Sequence, residues 1–189
     1  TSRVIMYSLN GAKKGKEYTE ALNLCEGGVL KVWYKDNPKL FFVNQLERIE
    51  NVPLQVVYAS SQEPREGDAS HLTDGDGSTI WHTMYSVTLA KYPHWVDFDA
   101  ASVKNMKGFI YTPRMDSYNG YVKDYEIYVS QDGKEWGEPV MKGSFEATGE
   151  AHKVMFDKPV KARYIRFRAL SEQRGNDYAS GAEFGLIAE

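Results

Sequence analysis

The chain has 189 residues, 42% of them hydrophobic and 26% charged, with a formal net charge of −3. That balance is ordinary for a folded domain and argues against nucleic acid or an anionic membrane as the main partner. No apolar run approaches the roughly 20 residues of a membrane-spanning helix, and the single cysteine, Cys25, cannot form an internal disulfide.

The chain opens mid-pattern at Thr1 without a signal peptide and reads as a piece of a longer protein. Residues 4–9 form an apolar, β-rich run ended by Asn10-Gly11, a hairpin dipeptide. A charged turn at 13–16 precedes a run from Tyr18 to Leu24, a break at Gly27-Gly28 and a second strand from Val29 to Tyr34. Asp36-Asn37-Pro38 ends that strand, because proline lacks the ladder donor. Residues 51–58 read as a linker or last strand, dividing the chain into segments 1–57 and 58–189.

The second segment is all-β by pattern. Short β-rich runs at 94–99, 107–112, 123–129, 152–156 and 164–169 alternate with Asp-Gly, Asn-Gly and Lys-Pro turns, which predicts a two-sheet sandwich. Alternation at 165–169 directs Ile165, Phe167 and Ala169 to a core, with Arg166 and Arg168 outward. Trp81, Trp95 and Trp136 read as packing residues, since tryptophan contributes a large buried area. No helix longer than a turn or two is expected, and the chain has no internal repeat.

One stretch carries most of the information: residues 72–83, LTDGDGSTIWHT. Asp74-Gly75-Asp76-Gly77 suits neither helix nor strand interiors, because glycine is conformationally costly there and aspartate competes for backbone hydrogen bonds. Such a run makes a tight turn, which is one reading. The other is a cage of carboxylates and carbonyls around a hard cation such as calcium, which takes about six to eight oxygen ligands. The spacing is not that of a helix-loop-helix calcium loop.

This stretch resembles the signature of the coagulation-factor 5/8 type C, or discoidin, superfamily, and within it the family 32 carbohydrate-binding modules of bacterial glycosidases. Further matching pieces follow in order: Tyr92-Pro93-His94-Trp95, Tyr111-Thr112-Pro113-Arg114, residues 122–128, Ser130-x-Asp132-Gly133-x-x-Trp136, residues 162–166 and Ala182-Glu183. The resemblance implies a jelly-roll sandwich with ligand loops at one end. Residues 7–33 are similar to the small β-sandwich appended to chitobiase-type β-hexosaminidases, here truncated or completed by the chain upstream, which implies a spacer.

The same resemblance implies the site. A structural calcium ion would be held by side-chain oxygens of Asp74, Asp76 and Glu183 and by backbone carbonyls of His71, Thr79 and Ala182, with the His71 imidazole toward solvent. His82 and Arg114 match the pair that reads a galactose-type sugar, and Asn119 matches an amide on the adjacent loop. Glu66 matches the acidic partner, with Glu63 as fallback. Tyr85 stands where relatives often carry a stacking tryptophan, and Tyr178 is a second candidate wall. Singly, each has a bland alternative as a structural or solvated side chain.

The implied function is non-catalytic binding of terminal galactose or N-acetylgalactosamine. It would serve an upstream catalytic domain of an extracellular, cell-surface or periplasmic glycosidase, with a β-hexosaminidase as the candidate. A catalytic fragment is disfavoured because glycoside hydrolysis needs two positioned carboxylates in a cleft. A discoidin-type module binding protein or membrane surfaces is the alternative, kept open by Met84, Met115 and Tyr118.

Overall fold

The computed structural model of the protein describes residues 3–19, 22, 28–46 and 52–188. The chain divides into two compact units, Thr1–Asn51 and Val52–Glu189.

In the first unit β1 (Ile5–Leu9), β2 (Lys16–Glu17), β3 (Gly28–Tyr34) and β4 (Asn37–Leu46) form an antiparallel sheet in the order β2-β1-β3-β4. Asn10 and Gly11 both have positive φ, 52° and 73°, and the Asn10 side chain accepts from the Val29 amide at 2.8 Å. The break at 36–38 is a two-residue turn at Lys35-Asp36, and Tyr34 pairs with Asn37. Pro38 sits at the start of an edge strand, where its missing donor costs little. A small sandwich was the expectation; among the described residues this unit is one sheet. Lys16-Glu17 is already strand, ahead of the expected run at Tyr18, while Leu24, Cys25 and Gly27 lie outside the described residues.

The second unit contains β5 (Gln55–Ala59), β6 (Trp81–His82), β7 (His94–Thr112), β8 (Asp124–Ser130), β9 (Met141–Ser144), β10 (His152–Ala169), β11 (Ser180–Gly181) and β12 (Glu183–Ala188). The division expected after residue 57 would cut β5, in which Val56 pairs with Phe98 and Ala59 with Val96, so residues 52–57 belong here. A single-turn 3-10 helix, Ala69–Thr73, is capped by Asp68, whose carboxylate accepts from the Ser70 amide.

Two pairs of expected strands are in fact continuous. β7 fuses the runs at 94–99 and 107–112, and β10 fuses those at 152–156 and 164–169. Their pairing shifts register between Met155 and Val160 and between Ala162 and Tyr164, the irregularity that lets a strand bend. The bend makes the sandwich. Phe184 of β12 pairs with Tyr111, 13 residues or roughly 43 Å of straight strand from Phe98. Yet Phe184 stacks on Phe98 with centroids 4.5 Å apart. The two halves of β7 therefore face each other across the core.

That core is aromatic. Phe109, Tyr111, Phe167 and Phe98 are essentially inaccessible, and Ile165 and Ala169 join Phe167 as the alternation required. Arg166 and Arg168 point outward but are half-buried and paired. Arg166 makes a two-point bond to Asp97 at 2.6 and 2.8 Å, and Arg168 reaches Glu126 at 3.1 Å. Trp81 is fully buried, but Trp95 and Trp136 pack on the outer face, either side of the Arg166 guanidinium at 5.5 and 4.1 Å.

Candidate functional site

His82 is the centre of the site. Its neighbour Trp81 anchors the strand in the core and donates its indole N–H to the Ser61 carbonyl at 3.0 Å. β6 pairs with β11, setting His82 opposite Ser180. The turn 63–67 approaches from the other side: the Glu63 amide donates to the His82 carbonyl, and a Cβ on Gly67 would lie 2.6 Å from that oxygen. Only a glycine fits there.

The His82 ring is buried, with Nδ1 2.7 Å from the Thr83 carbonyl. A carbonyl only accepts, so Nδ1 carries the proton and Nε2 is left as an acceptor. Burial above all holds His82 below the usual histidine range; the Thr83 carbonyl opposes this and the Arg114 charge adds to it. The ring is neutral at pH 7. It is flanked by Tyr85, edge-on at 5.0 Å and 77°, and by Tyr178 at 5.4 Å and 35°.

Tyr85 is about half exposed and its hydroxyl donates to Glu66 Oε1. Glu66 is itself exposed, whereas Glu63 is 2% accessible. Glu63 accepts from the Tyr85 amide at 2.9 Å, the Ser86 amide at 3.0 Å and the Ser86 hydroxyl. These bonds, led by that hydroxyl, hold its carboxyl below the usual carboxylate range. Glu63 thus fixes the loop that carries Tyr85. It is not the acidic partner the sequence kept in reserve.

Arg114 arrives from the end of β7. Its Nε and one terminal nitrogen clasp Asp116 at 2.8 and 2.7 Å, while the Tyr121 hydroxyl donates to its carbonyl at 2.9 Å. The Arg114 charge is felt at His82, and the Glu66 charge at Arg114, so the three groups lie within electrostatic reach. Asn119 is exposed, and its carbonyl accepts from Ser180 Oγ at 2.6 Å, next to His82's partner strand. Tyr178 is held from beneath: its carbonyl accepts from the Tyr92 hydroxyl at 2.9 Å, and the preceding Asp177 carbonyl accepts from His94 Nε2 at 2.6 Å.

Sequence reasoning missed the supporting residues. Asp116 is two positions after Arg114 and had no motif to mark it. Buried Glu172 binds the Arg174 and Asn176 amides at 2.7 and 3.0 Å, shaping the loop that presents Tyr178. Carboxylates are common on surfaces, so only its burial identifies Glu172, and only its grip on Arg114 identifies Asp116.

The residues expected to hold a cation lie around the Asp74–Thr79 turn and the start of β12. Asp74 accepts from the Asp76 amide at 2.8 Å and the Thr79 hydroxyl at 2.7 Å; Asp76 accepts from the Ser78 amide at 2.9 Å. Asp74 and Asp76 therefore do shape a turn. Glu183 is what a turn alone does not account for. Its Oε1 is buried without a protein partner, and burial followed by the adjacent Asp74 carboxylate pushes its pKa up to about 7. Two carboxylates within hydrogen-bonding distance need a shared proton or a cation. Among the described residues no three His, Cys, Asp or Glu side chains gather to hold a metal. The further ligands would be the carbonyls of His71, Thr79 and Ala182, oxygen donors that suit a hard ion. An all-oxygen set of this kind is the chemistry calcium takes, and Asp74 and Glu183 are the carboxylates of it that the structure brings together. His71 departs from expectation: its imidazole is half-buried and its Nδ1 lies 2.8 Å from the Ile80 carbonyl, not free in solvent.

The F5/8 type C domain matches residues 56–184. The chain belongs to the F5/8 type C domain family. A sialidase of Micromonospora viridifaciens is 37% identical over 151 residues, which is 78% of this chain and 23% of the sialidase. The chain thus spans about a quarter of that relative's length. Among solved structures, CpGH89CBM32-5 from Clostridium perfringens, in complex with GalNAc-β-1,3-galactose, superposes with a TM-score of 0.68 at 28% identity, covering 74% of this chain and all (100%) of that one. The family 32 module of C. perfringens NanJ, in complex with galactose, gives 0.64 and 27%, covering 72% and 96%. The two superposed structures are family 32 modules, and the F5/8 type C unit is likewise an ancillary domain, an all-β jelly-roll sandwich.

Proposed function

We propose that the F5/8 type C unit is a carbohydrate-binding module for terminal galactose or N-acetylgalactosamine, targeting a secreted or surface-attached parent glycosidase to galactose-type glycans. The observation that carries this reading is the convergence of buried, neutral His82 and half-buried Arg114 with the exposed Glu66 carboxylate and the half-exposed Tyr85 ring. A sugar hydroxyl both donates and accepts. His82 Nε2 and Glu66 accept from it, and the Arg114 N–H groups not held by Asp116 donate to it. Tyr85, with Tyr178 behind, offers the flat surface on which the C–H face of a pyranose lies. Asn119 adds an amide from the adjacent loop.

Calcium enters the proposal as a structural ion tying Asp74 and Asp76 to Glu183, on the first long loop and the last strand. Such an ion would neutralise the facing carboxylates of Asp74 and Glu183. In a closed cage it would have no open position for chemistry.

A second reading rests on one observation: Val87, Met115 and Tyr118 are 76%, 69% and 61% exposed. Exposed apolar tips are how a module of this fold would enter a membrane surface. A glycan array with the whole chain, followed by calorimetry on the best ligand and on phosphatidylserine vesicles, separates the two. Binding to vesicles and to no galactose-type glycan would overturn the sugar reading.

A further inference from the structure

An open groove of about 280 Å3 lies between the β7–β8 and β9–β10 loops, lined by Met115, Asp116, Ser117, Tyr118, Tyr121 and Gly149. It is continuous with the site already described. Asp116, which lines it, clasps the Arg114 guanidinium, and Tyr121, which lines it, holds the Arg114 carbonyl.

The walls are built, not accidental. Tyr121 is 6% accessible and packs at 5.4 Å against Tyr118, whose ring also carries the Arg174 guanidinium at 5.4 Å. Met115 is backed by the Asp74–Thr79 turn: a Cβ on Gly77 would stand 2.8 Å from the Met115 methyl group. Gly149 keeps the far side open, since a Cβ there would come within 3.0 Å of the Tyr121 hydroxyl.

The chemistry is that of a sugar face. Met115 and Tyr118 give an apolar plate, while Asp116, Ser117 and the Tyr121 oxygen provide acceptors at its edge. An apolar plate with a few fixed polar atoms is how a pyranose is recognised. An anion would face the Asp116 carboxylate.

We infer that this groove binds the second sugar of a glycan, the residue to which the terminal galactose-type sugar at His82 and Arg114 is linked. The inference rests on the proposed function above, and it makes the module a reader of at least a disaccharide. Asp116 both lines the groove and clasps Arg114, so the two sites adjoin through one side chain.

The test is calorimetry on the whole chain with methyl β-galactoside and with neutral galactose-terminated disaccharides of β-1,3, β-1,4 and β-1,6 linkage. At least one disaccharide is expected to bind about tenfold tighter than the methyl glycoside. Tyr118→Ala and Met115→Ala, which each remove half of the plate, should each abolish that gain. Both should leave methyl galactoside binding within about twofold of wild type, a difference of ~0.4 kcal/mol. If no disaccharide outperforms the methyl glycoside, or if the gain survives both substitutions, the groove is not a subsite while the terminal site stands. If wild type binds neither class of sugar, both readings fall.

Discussion

Arg114 and Asp116 form a two-point ion pair, Nε to Oδ1 at 2.8 Å and a terminal nitrogen to Oδ2 at 2.7 Å. The Arg114 side chain is 13% exposed and that of Asp116 65%, so the pair is anchored on the arginine side and open on the other. A guanidinium has five N–H donors. Asp116 takes two and fixes the plane of the rest. An arginine at this loop would otherwise sample many rotamers, and ordering it on binding would cost affinity.

Arg114→Ala should therefore abolish detectable monosaccharide binding. A hydrogen bond to a charged group contributes about 1.5–3 kcal/mol, and a millimolar ligand has only about 4 kcal/mol in total. Asp116→Ala leaves the donor but frees its plane, so affinity should fall by less. Titration of galactose against wild type and both variants checks the order; galactose binding indifferent to Arg114→Ala would remove Arg114 from the site.

Glu63 should prove structural. Glu63→Gln keeps one acceptor oxygen and sets an NH2 against the Tyr85 and Ser86 donors, so melting temperature and sugar affinity should fall together. The carboxyl is held low in the fold, so its contribution is present above the unfolded-state pKa of about 4.3. That contribution is lost as pH falls through the depressed folded value. Wild-type melting temperature should decline more steeply than that of Glu63→Gln below about pH 4.3; parallel curves would refute the assignment.

Tyr85→Trp should tighten sugar binding. The plate enlarges, and Glu66, released from the Tyr85 hydroxyl, gains an acceptor oxygen for the ligand. Tyr85→Ala should weaken it. Calorimetry with galactose that ranks alanine at or above tryptophan would show that the ring is no platform.

Removal of the proposed calcium ion should lower the melting temperature and leave the sugar contacts in place. An ion at one hundred times its Kd stabilises by about 2.7 kcal/mol. Chelation by EDTA, with elemental analysis to show that the ion has left, should be mimicked by Asp74→Ala. Unchanged melting after proven removal would reduce the Asp74–Thr79 stretch to a turn.

What the sequence determined by itself was local and periodic. The alternation at 165–169 placed Ile165, Phe167 and Ala169 in the core because a strand's side chains alternate faces whatever the wider fold. Asn10-Gly11 and Asp74-Gly75 declared turns because so few residues tolerate those backbone angles. His82, Glu66, Tyr85, Arg114 and Tyr178 could be named through a resemblance. Tertiary structure decided the rest. Bends in β7 and β10 turned four expected strands into two, since a bulge arises from pairing with a partner strand and leaves no mark in composition. By sequence, Glu66 is the first choice as acidic partner and Glu63, three positions earlier, the fallback, because loop length leaves their alignment open. In the fold Glu63 is buried beneath three donors and Glu66 is exposed. Burial and partners are long-range properties, set by residues such as Ser86 and Tyr85 about twenty positions away.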